Sequence, residues 1–146
     1  MSSSHGVRFY EQIHGVYFDD LDAFAILHNA RYLLLVERTI GSFWRKLGFG
    51  DSTDLSAQPD QAQLVRSNHI DYLRPVRGAS EVRVRVWVEK LGTTSLRFGF
   101  AVMLKDEDVD CARGERVMVR IDGTTHRPVP WTDGFRQAIA PYVRAG

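Results

Sequence analysis

The apolar residues of this chain recur with a helical period between residues 30 and 47. From residue 82 onward they recur with the period of a strand. That switch limits the architectures open to it. Tyr32, Leu35, Val36, Thr39, Ile40, Phe43 and Leu47 fall on one stripe of an α-helix. Leu33, Leu34 and Trp44 lie off the stripe, so the helix is apolar on more than one side. Such a helix is expected to be wrapped by other structure. Asn29 is the expected N-cap, because its side chain can accept from exposed first-turn amides. Arg45 and Lys46 suit the last turn, where cations complement the dipole, and Gly48 is the natural stop.

The later pattern is period two. Val82, Val84, Val86 and Val88 alternate with Arg83, Arg85, Trp87 and Glu89. Leu96, Phe98, Phe100, Val102 and Leu104 alternate with Arg97, Gly99, Ala101 and Met103, and Val117, Val119 and Ile121 with Arg116, Met118 and Arg120. These read as antiparallel strands with one buried face. Residues 91–94 and 105–108 read as the turns between them. Residues 7–18 pass as a first strand, 63–73 as a further strand ended by Pro75, 50–62 as a polar loop and 132–143 as a short helix. The fold class is therefore α+β: one long helix wrapped by a curled antiparallel sheet of about five strands. The edges of a curled sheet need cover, and pairing two sheets edge to edge makes at least a dimer.

Composition narrows the function. The 146 residues suit one domain, 1–146, with residues 1–6 as a loose tail. A net charge of +1 argues against a nucleic-acid binder driven by bulk charge. The apolar run Tyr32 to Val36 is far short of a membrane span. The single Cys111 excludes an internal disulfide, and the chain is expected to be cytoplasmic. His5, His14, His28, His69 and His126 show no metal-ligand spacing, so no metal site is expected. Gly48-Phe49-Gly50 lacks a third glycine, with Thr53 in its place, and no Gly-x-Ser-x-Gly elbow occurs.

The densest polar cluster is Asp19-Asp20-Leu21-Asp22, followed by His28-Asn29 at the helix start. A helix N-terminus carries exposed N–H groups and partial positive charge, which suit a developing oxyanion. A carboxylate held beside it can act as nucleophile or general base. That pairing is the minimum apparatus for acyl transfer. The same aspartates also serve as dipole partners and turn formers.

The stretch Val16 to Leu33 closely resembles the signature of hotdog-fold acyl-CoA thioesterases, most of all the 4-hydroxybenzoyl-CoA thioesterase branch. The matching features are an aromatic-rich strand end, Asp20-x-Asp22, Asn29, Tyr32-Leu33 and Glu37. Ile70 to Pro75, Leu91 to Ser95 and Thr125 to Pro130 resemble later segments of that family. The resemblance implies that Asp22 attacks the thioester or activates water, that the Asn29 backbone N–H polarises the carbonyl, and that Asp20 fixes the loop. It also implies a site at a dimer interface. Many relatives carry glycine three residues after the catalytic aspartate; here Ala25 follows Phe24, so a different turn is expected.

The remaining expectations follow from that frame. Tyr32, Phe24, Glu37, Thr94 and Ser95 are candidates for substrate binding, and Arg74, Arg77, Lys90 and Arg97 for coenzyme A phosphates. Tyr17 and Phe18 are further pocket or core candidates. His28 can serve as a base or as a turn residue. Glu37 stands either near the pocket or in a structural pair with Arg38 or a sheet arginine. The expected function is an acyl-CoA thioesterase acting as a homodimer or homotetramer on an acyl-CoA or acyl-carrier-protein substrate. Coenzyme A enters as part of the substrate, with no other cofactor and no nucleic-acid or membrane partner. The alternatives are a hotdog dehydratase or hydratase, and a non-catalytic oligomer that binds acyl thioesters.

Overall fold

A computed structural model describes residues 8–50 and 55–144. The expected tail, Val7 of the expected first strand and residues 51–54 of the expected loop lie outside the described residues. The chain runs β1 (Tyr10–Val16), a 3-10 turn (Phe18–Asp20), α1 (Asn29–Lys46), a 3-10 turn (Pro59–Gln61), β2 (Gln63–Tyr72), β3 (Ser80–Leu91), β4 (Ser95–Leu104), β5 (Asp110–Arg120) and α2 (Asp133–Ile139), which ends in a 3-10 turn (Ala140–Tyr142).

The five strands form one antiparallel sheet in the order β1-β3-β4-β5-β2. It curls around α1 without closing, so β1 and β2 are its two edges. Registers such as Val86 opposite Phe100 keep the period-two residues on one face. Val82, Val84, Val86, Val88, Leu96, Phe98, Phe100 and Val102 thereby pack with Leu35, Val36, Ile40, Phe43 and Trp44 of α1. On the opposite face Trp87, Ala101 and Met103 form a second buried cluster. Gly99 is required there, because a Cβ at that position would lie 2.4 Å from the Trp87 ring.

Three local differences from the sequence reading have physical causes. First, β1 ends at Val16, because Tyr17 and Phe18 turn into the 3-10 segment and leave the sheet. Second, the N-cap of α1 is His28 and not Asn29: the His28 side chain accepts the Ala30 N–H. The expected stop is met at the other end, where Leu47 is the C-cap and Gly48 follows at φ 88°. Third, the expected polar loop contains a buried carboxylate. Asp60 is 4% exposed and accepts from the Thr132 N–H at 2.9 Å and the Thr132 hydroxyl at 2.6 Å, with Arg120 Nε 3.6 Å away. That network ties the 3-10 turn before β2 to the start of α2.

Candidate active site

The segment between β1 and α1 is held by its own backbone and by two aspartates. Asp20 Oδ2 accepts the Tyr17 N–H at 2.8 Å, and the Asp20 carbonyl accepts the His28 N–H at 2.9 Å. Asp20 is thus committed to holding the loop, with Arg31 Nε 3.9 Å from its other oxygen.

Asp22 starts a tight turn. Its carbonyl accepts the Ala25 N–H at 3.0 Å, and its own N–H donates to the Ile26 carbonyl at 2.9 Å. Its Oδ1 accepts the Phe24 N–H at 2.8 Å and, more weakly, the Ile26 N–H at 3.4 Å. No hydrogen bond engages Oδ2 among the described residues. Ala25 adopts φ 57°, so this turn takes the left-handed conformation that glycine favours, although the residue is alanine. The turn is then bolted to the segment entering β3: Gly78 N–H donates to the Ala25 carbonyl at 2.9 Å, and Leu27 N–H to the Val76 carbonyl at 2.8 Å.

At the start of α1 the donors sort themselves. Ala30 N–H donates to His28 Nδ1 at 3.0 Å, so that nitrogen carries no proton. Arg31 N–H donates to the His28 carbonyl at 2.9 Å. The Asn29 N–H has no acceptor among the described residues. Asn29 and Asp22 line the same cleft, of about 410 Å³, walled by Ile26, Leu27, Tyr32 and Tyr72, with Arg74 also in its lining. The Tyr72 hydroxyl donates to the Asn29 carbonyl at 3.2 Å, and the Tyr72 ring meets Tyr32 edge-on at 5.1 Å. Burial, with the neighbouring Cys111 thiol, pushes the Tyr32 hydroxyl up to about 12, against an opposing hydrogen bond at the Val76 backbone. Tyr32 therefore presents a neutral ring to the cleft. Burial also pushes the Cys111 thiol up, which keeps it protonated and unreactive.

The structure brings Asp22, Asn29, Tyr32 and Arg74 together and places other sequence candidates elsewhere. Lys90, Ser95 and Arg97 line a second cleft of about 310 Å³ with Arg66 and Ser67. Tyr72 borders the first cleft and Arg66 the second; they stand six positions apart along β2, or about 20 Å at the usual strand rise. Thr94 lies in the β3–β4 turn at that far end, where its carbonyl accepts the Arg120 N–H at 2.8 Å. Arg77 forms an isolated bridge with Ile26 and lines neither cleft. Glu37 takes the structural pairing: Arg116 Nη1 of β5 lies 3.2 Å from its carboxylate, while Arg116 Nε donates to Asn68 Oδ1 at 2.8 Å. Tyr17, Phe18 and Phe24 are exposed, at 68%, 88% and 82%, and belong neither to the core nor to the Asp22 cleft. His28 acts as a helix cap and borders a separate cleft with Asp19 and Arg31. Among the described residues no group of three or more His, Cys, Asp or Glu is arranged to hold a metal ion.

Sequence reasoning assigned no role to Tyr72 or Arg66. Tyr72 stands within Ile70 to Pro75, but nothing in its neighbours signals a bond to a residue so far back in the chain. Arg66 was one arginine among many on a strand.

Residues 16–139 match the model of the thioesterase-like superfamily. A Bacillus subtilis (strain 168) protein described as uncharacterized protein YsmA is 27% identical over 124 residues, covering 85% of this chain and 80% of that one. A predicted thioesterase from Bacillus stearothermophilus has a similar structure, with a TM-score of 0.82, 20% identity and coverage of 95% and 99% of the two chains. A thioesterase from Thermus thermophilus, solved with coenzyme A and Zn, is similar at a TM-score of 0.78, with 29% identity over 97% of this chain and 98% of that one.

Proposed function

The chain belongs to the thioesterase-like superfamily, and from that membership we propose that it hydrolyses an acyl-CoA thioester to the free acid and coenzyme A. One observation carries the reading: Asp22, with one carboxylate oxygen unengaged, and Asn29, with its N–H unpaired, line one cleft with mostly apolar walls.

The thioester carbonyl oxygen accepts from Asn29 N–H at the positive end of α1, where charge developing on it is stabilised. Asp22 Oδ2 then acts in one of two ways. It takes a proton from water, whose oxygen attacks the carbonyl carbon; or it attacks that carbon itself, and water hydrolyses the resulting anhydride. In both cases the C–S bond breaks and coenzyme A leaves as the thiol. The turn bonds on Oδ1 hold the carboxylate without engaging its second oxygen.

The two clefts become one site if two copies pair along β2. Edge-to-edge antiparallel pairing reverses one strand against the other, so the Tyr72 end of one copy meets the Arg66 end of its partner. The acyl group then lies beside Asp22, and the phosphates of coenzyme A lie among Arg66, Lys90 and Arg97. Arg66 and Lys90 have no acidic partner among the described residues, whereas Arg97 has Glu115 at 3.6 Å. The dehydratase reading loses support, because it needs a histidine acting on substrate and His28 lines a different cleft from Asp22 and Asn29.

The test is thiol release from short, long and aromatic acyl-CoAs, comparing native protein with Asp22→Asn. The variant keeps the turn acceptor and loses the charge. A fall of about a hundredfold or more is expected for loss of a nucleophile or base. No thiol release by folded native protein that binds these compounds would overturn the reading.

A further inference from the structure

The free N–H of Asn29 lies in the 28–29 peptide plane, and its direction is coupled through the Asn29 Cα to the peptide plane that follows it. That plane joins the Asn29 carbonyl to the Ala30 N–H, and both of its ends are held. The carbonyl accepts the Tyr72 hydroxyl at 3.2 Å, and the N–H donates to His28 Nδ1 at 3.0 Å. The preceding plane, between His28 and Asn29, is held at its His28 carbonyl, which accepts the Arg31 N–H at 2.9 Å. Its N–H is the end left open. Without the clamp, a fraying first turn would let the donor wander, because the first residues of a helix lack intrahelical bonds for their N–H groups.

We propose that Tyr72 and His28 are positioning residues for the reaction: together they clamp the 29–30 peptide and thereby aim the Asn29 N–H at the carbonyl oxygen of the substrate. This rests on the proposed role of Asn29 as oxyanion donor. Tyr72 is the last residue of β2, an edge strand, so it ties that edge to the helix start. Its ring is supported by Tyr32, and the ring remains in Tyr72→Phe, which deletes the hydroxyl alone. His28 is an uncommon cap; asparagine offers a side-chain oxygen to the same N–H.

The experiment combines steady-state kinetics on an acyl-CoA turned over by the native protein with the backbone amide spectrum of 15N-labelled protein. Tyr72→Phe is expected to lower kcat about five- to tenfold, the scale of one hydrogen bond, with KM within about twofold. The Asn29 amide resonance should move with it. His28→Ala should lower kcat, and His28→Asn should restore most of the loss. A Tyr72→Phe protein that raises KM at native kcat would overturn the clamp, as would His28→Asn performing no better than His28→Ala. If the native protein releases no thiol, the thioesterase reading fails by itself, and the amide spectrum then judges the clamp. An Asn29 resonance unmoved by Tyr72→Phe overturns it.

Discussion

The Ala25 N–H donates to the Asp22 carbonyl at 3.0 Å, and Ala25 closes that turn at φ 57°. An alanine in the left-handed region carries a steric cost between Cβ and backbone that glycine does not. The turn is retained because it is bonded on both sides, to Asp22 and to Gly78. Ala25→Gly should therefore stabilise the protein by up to about 1 kcal/mol, less the glycine's greater unfolded-state entropy. Urea unfolding checks this. A loss of stability would mean that the strain at the positive φ is smaller than the entropy cost of glycine.

Asp60 is the buried anchor of the 3-10 turn before β2, with Thr132 and Arg120 around it. Asp60→Ala strands the Thr132 N–H and leaves Arg120, itself mostly buried, without its anion. Destabilisation of about 2–4 kcal/mol is expected from losing a buried, charge-assisted acceptor. A chemical-denaturation midpoint equal to the native one would refute the anchoring role.

His14 makes stability depend on pH. Burial, and then the positive charge of Arg38, hold its imidazole below the ordinary 6.5. Its Nε2 bonds Thr39 Oγ1 at 2.8 Å, and the Thr39 hydroxyl donates to the Leu35 carbonyl, so Nε2–H is the donor. As pH falls, the unfolded chain takes up this proton first. The contribution is therefore complete above 6.5 and is lost as pH drops through 6.5 toward the lower folded value. His14→Gln should flatten that part of the stability profile measured by denaturation from about pH 7.5 to about pH 5. An unchanged slope would assign the dependence to other groups.

On the proposed function, the cation-lined cleft takes the phosphates of coenzyme A. Arg66→Ala combined with Lys90→Ala should weaken inhibition by coenzyme A about tenfold or more, the scale of a lost charge-assisted contact. Added salt should weaken binding to the native protein more than to this double variant. Equal inhibition of both proteins at low salt would place the phosphates elsewhere.

The helix and the strands were legible because burial on one face imposes a period on the sequence. Val82 to Val88 could face the core only by alternating, and Tyr32 to Phe43 only by recurring every three or four residues. The helix cap was misplaced by one residue. Capping preferences rank residue types, whereas the geometry at Ala30 selects His28 Nδ1. The exposed Tyr17, Phe18 and Phe24 show the converse limit: apolar character does not say which surface will cover a ring. Asp60 looked like loop polarity because its partner Thr132 is 72 residues away in the chain.

By itself, the sequence determined the element order, the buried face of each strand, and a carboxylate placed shortly before a helix start. Those are local or periodic properties, set by side-chain chemistry and backbone geometry over a few residues. Tertiary structure decided the rest. It brought Tyr72 onto Asn29 across 43 residues, put Asp22, Tyr32 and Arg74 around one cleft, and carried Lys90, Ser95 and Arg97 to the other end of the sheet. Such placements depend on strand order and register, which are settled only when the whole sheet closes over the helix.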